Sequence, residues 1–106
     1  MISRMSWKNT KTITLDTTLA DTPAIDYSQV AGGFIRAVGN CGACNFYGAT
    51  AVDGTYVPIY DSTNTIVALT MTNGRGYAFP DQCFGARFIK IVPTNDAVEI
   101  QYSLKG

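Results

Sequence analysis

The sequence predicts an all-β fold, a single-domain β-sandwich of jelly-roll type with about eight strands. Three observations predict it. Short stretches that alternate apolar and polar residues recur at spacings of roughly 8 to 12 residues, divided by Gly, Pro, Asn and Asp clusters, and no window shows a helical period. The chain has 106 residues, 46% of them hydrophobic, which is enough for one buried core and too few for two domains. No internal repeat of about 20 to 50 residues is present, so a solenoid or propeller is not expected.

Residues 1–10 are polar and aperiodic apart from Trp7, and they read as an N-terminal arm or short pairing strand ahead of a sandwich domain at 11–106. Trp7 either covers the end of its own core or docks on a neighbouring subunit. Residues 11–17 set Ile13 and Leu15 against Thr12, Thr14 and Asp16, a strand pattern. Residues 19–31 read as a long connection. Its Asp21 and Asp26 lack the spacing and the glycine of a calcium loop, so a solvated loop is expected.

Gly32 and Gly33 release the chain into a strand at 34–38, and a turn at 40–43 leads to a strand at 45–49. Asp53-Gly54 is the strongest hairpin signal, because Gly takes a positive φ at little cost. The strand predicted beyond it, at 55–60, contains Pro58. A proline cannot donate to the ladder, so this strand belongs at a sheet edge or at a bulge. A turn at 61–64, a strand at 65–71 and a glycine-rich turn at 73–76 follow.

The proline-broken turn at 79–81 leads through Gly85 to a strand in which Arg87, Ile89 and Ile91 face one way and Phe88, Lys90 and Val92 the other. Residues 97–104 alternate more cleanly, Val98, Ile100, Tyr102 and Leu104 against Glu99, Gln101 and Ser103. The turn at 93–96 between them predicts a terminal antiparallel hairpin.

Composition narrows the function classes. Eight Lys and Arg balance eight Asp and Glu, and charged residues make up 15% of the chain. A nucleic-acid binder normally carries a basic excess, so no nucleic-acid partner is expected. A low charged fraction with zero net charge favours association, a pointer to a component of an assembly. No stretch approaches the roughly 18 apolar residues that span a bilayer, and 1–15 lacks a signal-peptide core. The expectation is a protein made in a cytoplasm, with no membrane partner.

Histidine is absent, which removes the usual general base, the Ser-His and Cys-His nucleophile systems and the commonest metal ligand. The acidic residues fall mostly at turns, where Asp serves the backbone. No catalytic constellation emerges, and the chain reads as a non-enzyme without cofactor or metal. Cys41-Gly42-Ala43-Cys44 has C-x-x-C spacing, with Cys83 as a distant third. A structural zinc normally takes four Cys or His ligands, and the thioredoxin-like redox motif needs a βαβ context. Cys44 shares strand parity with Phe46, so buried free thiols are expected. A disulfide from Cys83 to Cys41 or Cys44 and metal or redox chemistry are the alternatives.

Tyr47, Tyr56 and Tyr60 cluster around Asp53-Gly54, and Arg75 and Arg87 can join them in a surface of the Tyr and Arg type that protein interfaces favour. Tyr47, Tyr56, Tyr60, Tyr77 and Tyr102 could instead form a sugar platform, and both readings stand. Trp7, Tyr47, Tyr56, Tyr60 and Arg75 make up the candidate interaction surface.

The string FYGATAVDGTYVPIYDS, with FGARFIKIVPTNDAVEIQYSLKG after it, resembles the discoidin-like, galactose-binding-like jelly roll. Asp53-Gly54-Thr55-Tyr56 and Ala86-Arg87-Phe88-Ile89-Lys90-Ile91 carry that likeness. Together with the lead-in ADTPAIDYSQVAGG, the chain is also similar to small phage and prophage proteins that look like virion structural components. The resemblance spans about residues 12–105. It implies a virion location after synthesis in a host cytoplasm, and a multicopy decoration or minor capsid protein on a tailed-phage-like particle. The implied partners are the major capsid protein or other virion proteins and further copies of the chain. The alternative is a carbohydrate-binding module on a tail or fibre, with a glycan as ligand.

Overall fold

Nine strands form two antiparallel sheets in the computed structural model, which describes residues 7–105, with side chains from residue 11 onward. The strands are β1 (Trp7–Leu15), β2 (Ile25–Asp26), β3 (Gly32–Val38), β4 (Gly42–Ala49), β5 (Val57–Pro58), β6 (Ala68–Met71), β7 (Gly76–Ala78), β8 (Phe88–Pro93) and β9 (Val98–Lys105). Two short 3-10 helices, Leu19–Asp21 and Asp81–Gly85, lie in the connections. One sheet runs β1-β9-β3-β7. The other runs β2-β8-β4-β5, with β6 also paired to β4.

Both β5 and β6 lie on the side of β4 away from β8, β5 opposite Tyr47 and Gly48 and β6 opposite residues 42–45. They therefore share one lane. Nine strands fill eight lanes, ordered 1-8-3-6 in one sheet and 2-7-4-5 in the other, which is the jelly-roll arrangement of two interlocked Greek keys. The lane is interrupted at Phe46. Its carbonyl accepts from Ile59 N at 2.9 Å and its N–H donates to Val67 O at 3.0 Å, while Val67 N donates to Ile59 O at 2.8 Å. The chain between them is pinched out as a projecting loop.

Alternation puts one face of every long strand into a single core. Leu15, Ile35, Ala37, Ile100 and Leu104 from the first sheet meet Ile25, Cys44, Phe46, Met71, Ile89 and Ile91 from the second, all buried. Aromatic rings join the layers: Phe79 lies edge-on to Phe46 at 6.4 Å and to Tyr102 at 6.3 Å. Each such pair adds about 0.5–1.5 kcal/mol beyond its buried area. The Cα radius of gyration, 13.2 Å, is that of one domain of this length.

Four expectations are corrected. The chain does not end in a hairpin, because β8 and β9 belong to different sheets. Their apolar faces meet across the core instead of lying side by side. Thr94 keeps the end of β8 on its own sheet, its N and Oγ1 donating to Ala43 O at 3.0 and 2.9 Å. The chain then arches over, and β9 enters between β1 and β3. Asp53-Gly54 is not a two-residue turn with a left-handed glycine. Gly54 is the fourth residue of a turn, its N–H donating to Ala51 O at 3.0 Å, and it is not among the positive-φ glycines.

The strand expected at 65–71 is confined to Ala68–Met71. One oxygen of Asp61 accepts from Thr63 N, Thr63 Oγ1 and Thr65 N at 2.7–3.0 Å, and Asn64 takes a left-handed φ of 61°. These bonds hold 61–65 as a turn and leave Ile66 a single bridge to Tyr60. The connection at 19–31 contains β2, too short to show alternation. Pro58 does stand in an edge lane, as its missing N–H requires.

Candidate interaction surfaces

Two surfaces present side chains not used by the core. The first is the outer face and open margin of the second sheet. Tyr47 is on the outward parity of β4, in register with Pro58 on one side and Lys90 on the other. Lys90 Nζ sits over the Tyr56 ring, 4.7 Å from its centroid, and donates to Leu19 O at 3.1 Å. The Tyr56 hydroxyl donates to Val52 O at 2.7 Å, which closes the 50–56 connection on itself. Burial, and then the nearby Asp53 charge, raise the Tyr56 phenol above its ordinary range.

Along this margin Val52, Val57 and Tyr60 are exposed by 56, 55 and 51%. A groove of about 340 Å³ runs between β5 and the Asp81–Gly85 helix, lined by Ala49, Val57, Pro58, Ile59, Gln82 and Ala86. Tyr56, through Lys90, and Tyr47 therefore share the outer side of the sheet, while Val57 stands opposite Gly48 on the other parity, toward the groove, and Tyr60 bridges Ile66 beyond the end of β5. Arg75 is apart from them. It is exposed in the turn after Met71, and Met71 pairs with Gly42, about 16 Å of strand from Tyr47 at 3.3 Å per residue. Trp7 opens β1, opposite Lys105, and its side chain lies outside the described residues.

The second surface is the outer face of the first sheet. Phe34, half-exposed, lays its ring over Gly76 of the neighbouring strand, in space that any side chain at 76 would occupy. Thr12, Gln101 and Arg36 are aligned across β1, β9 and β3. With Phe34, Lys11 and Ser103 they surround an open depression of about 370 Å³. The sequence reading missed this set, because its members come from strands distant in sequence. The available signal was the polar parity of β1 and β9, met on β3 by Phe34, Arg36 and Val38.

Several ionisable groups among the described residues are moved from their ordinary values by burial or hydrogen bonds. Ser28 bonds lower Asp26, and bonds from the Thr63 hydroxyl and the Thr65 and Thr63 amides lower Asp61. Burial raises the Tyr27, Tyr102 and Cys44 groups and pushes Cys83 up to about 12. Each of these shifts runs away from neutrality, the reverse of what an acid or base working near pH 7 needs. All three cysteines are buried free thiols, and no cluster of three or more His, Cys, Asp and Glu among the described residues is placed to hold a metal. Compared with protein-family models, curated proteins and solved structures, the chain finds no match.

Proposed function

We propose that the protein is a non-enzymatic virion structural protein of a tailed-phage-like particle, a multicopy capsid decoration or minor capsid protein that binds the major capsid protein. The observation that carries this reading is the exposed Val57 on the groove under β5, with Ala49, Pro58, Ile59 and Ala86 as its apolar lining and the exposed Val52 and Tyr60 on the segments that flank β5. Contiguous apolar surface rimmed by polar residues marks places where proteins meet. The jelly-roll lane order adds support by analogy of fold, since capsid proteins and lectins both use it. Zero net charge suits close packing of many copies. Repetition lets each contact be modest while the lattice holds.

The test is the solution mass by light scattering, alone and mixed with the major capsid protein of a tailed-phage-like particle from the same source genome. A defined oligomer or a stoichiometric complex supports the reading, and Val57→Asp should then weaken it. A monomer indifferent to capsid refutes it.

The second reading is carbohydrate binding, and the depression around Phe34, Arg36 and Gln101 favours it. A flat exposed ring beside amide and guanidinium donors suits the apolar face and the hydroxyls of a sugar. A glycan array with wild type and Phe34→Ala separates the two readings. Signal lost in the variant supports the sugar site, and no signal from either protein removes it.

A further inference from the structure

The Cys41 and Cys44 sulfurs are 3.1 Å apart inside the end of the sandwich. That is closer than two sulfurs rest in ordinary van der Waals contact and longer than a disulfide, about 2.05 Å. It is also too short to straddle a metal ion. Two thiolates on a tetrahedral zinc, with bonds of about 2.3 Å, hold their sulfurs roughly 3.8 Å apart. We propose that Cys41 and Cys44 are a dithiol modification site, converted to an internal disulfide by exchange with a small disulfide such as oxidised glutathione, while Cys83 stays a thiol.

The local backbone sets up this pair. Gly42, between the cysteines, takes a left-handed φ of 65°, and the amide of Asn95 fills the space where a Cβ would stand, 2.6 Å away. The turn is thus fixed from both sides. Cys41 N donates to Met71 O at 3.3 Å, tying the first cysteine to β6, and Cys44 lies on the core face of β4 next to Phe46. Cys83 is buried in the same core, but its thiol makes no close contact with either partner among the described hydrogen bonds.

The exchange balances without an outside electron acceptor beyond the small disulfide. The Cys41 thiolate attacks one sulfur of the reagent and expels the first reagent thiolate, leaving a mixed disulfide on Cys41. The Cys44 thiolate then attacks the Cys41 sulfur and expels the second. Two protons leave the protein thiols and end on the two released reagent thiols. Cys41 is assigned the first attack because it stands at the turn that leads into β4, whereas Cys44 lies inside that strand; both are buried, so the end of the sandwich must open to admit the reagent. Burial raises the Cys44 thiol above its ordinary range.

The experiment treats the folded, full-length protein with oxidised glutathione, then unfolds it in guanidinium with N-ethylmaleimide and reads the intact mass and the tryptic peptides. The reduced protein takes up a maleimide on each of its three cysteines. The oxidised protein is expected to take one, on Cys83, with the other two sulfurs joined and two hydrogens lost. Cys44→Ser is expected to stop at the Cys41–glutathione adduct. Three maleimides after oxidation, or Cys83 in the disulfide, overturns the site. An adduct on Cys44 in Cys41→Ser, with none in Cys44→Ser, overturns the order of attack.

Discussion

Replacing Tyr27 with Phe is expected to stabilise the protein. Tyr27 is buried against Phe79 at 5.7 Å and Phe84 at 6.0 Å, contacts made by the ring alone. Its hydroxyl has no hydrogen-bond partner among the described residues. A buried polar group left unpaired costs about 1–3 kcal/mol relative to its hydrated state in the unfolded chain. Phenylalanine keeps the ring contacts and removes that cost, so the lower part of the range, about 1 kcal/mol, is the expected gain. For a domain of this length such a gain moves Tm by about 4–8 °C. Equilibrium urea unfolding should show a higher midpoint at an unchanged slope.

The same substitution has a signature in pH. Burial first, and then the neighbouring Cys83 and Asp81, raise the Tyr27 phenol above its ordinary value of 10.0. The folded state therefore holds this proton more tightly than the unfolded one. The associated stability is complete below pH 10 and is lost as the pH climbs above it. Tyr27→Phe should remove one titrating group from that decline. A destabilised variant would refute the reasoning, since it would mean that the hydroxyl is satisfied in the folded molecule.

Three further outcomes follow from the packing. Gly33→Ala is expected to cost roughly 1–3 kcal/mol by overpacking, since a Cβ there would meet Leu104 Cδ2 at 2.7 Å and Ser103 O at 2.8 Å. Gly32→Ala, with nothing within 4 Å, is the matched control in the same thermal melts. Burial pushes the Cys83 thiol from 9.0 up to about 12, so its contribution is present below pH 9 and lost as the pH rises from there toward 12. Cys83→Ala should flatten that part of the stability curve by up to about 1.4 kcal/mol per pH unit. Lys90→Met keeps the side-chain stem but loses the bond to Leu19 O and the cation over Tyr56. A loss of about 1 kcal/mol is expected, with faster proteolysis of the 50–56 connection as its local readout.

The strands that carry long alternation were legible. Residues 97–104 face the core and solvent as their parity requires, and Cys44 and Phe46 share the buried face of β4. The missing N–H of Pro58 narrowed its strand to an edge or a bulge, and the strand lies at an edge. What parity does not encode is which sheet a strand joins. Both β8 and β9 present an apolar face, and a hairpin and an arch satisfy that pattern equally well. The choice is made by β1 and β3, which flank β9 from the far end of the sequence. The turn at 61–64 was legible, but not its reach: Asp61 also holds Thr65 N, and Ile66 is left a single bridge in a stretch whose β-formers pointed to a strand from 65. The tyrosines were found by their nearness in sequence, whereas the Phe34, Arg36 and Gln101 depression exists only once three distant strands lie side by side.

The pairing of β1 with β9 joins Trp7 to Lys105 and Leu15 to Val98. During synthesis, then, the first strand waits for nearly all of the intervening chain before its partner emerges, and the closure entropy of that long loop falls due before the contacts form. Folding dominated by such distant pairings belongs to the millisecond-to-second range. For that interval the Ile13 and Leu15 stripe is a sticky, strand-forming segment without its mate. The chain is thus most open to mispairing with a neighbour while it is being made, a hazard that grows with the rate at which copies are produced together.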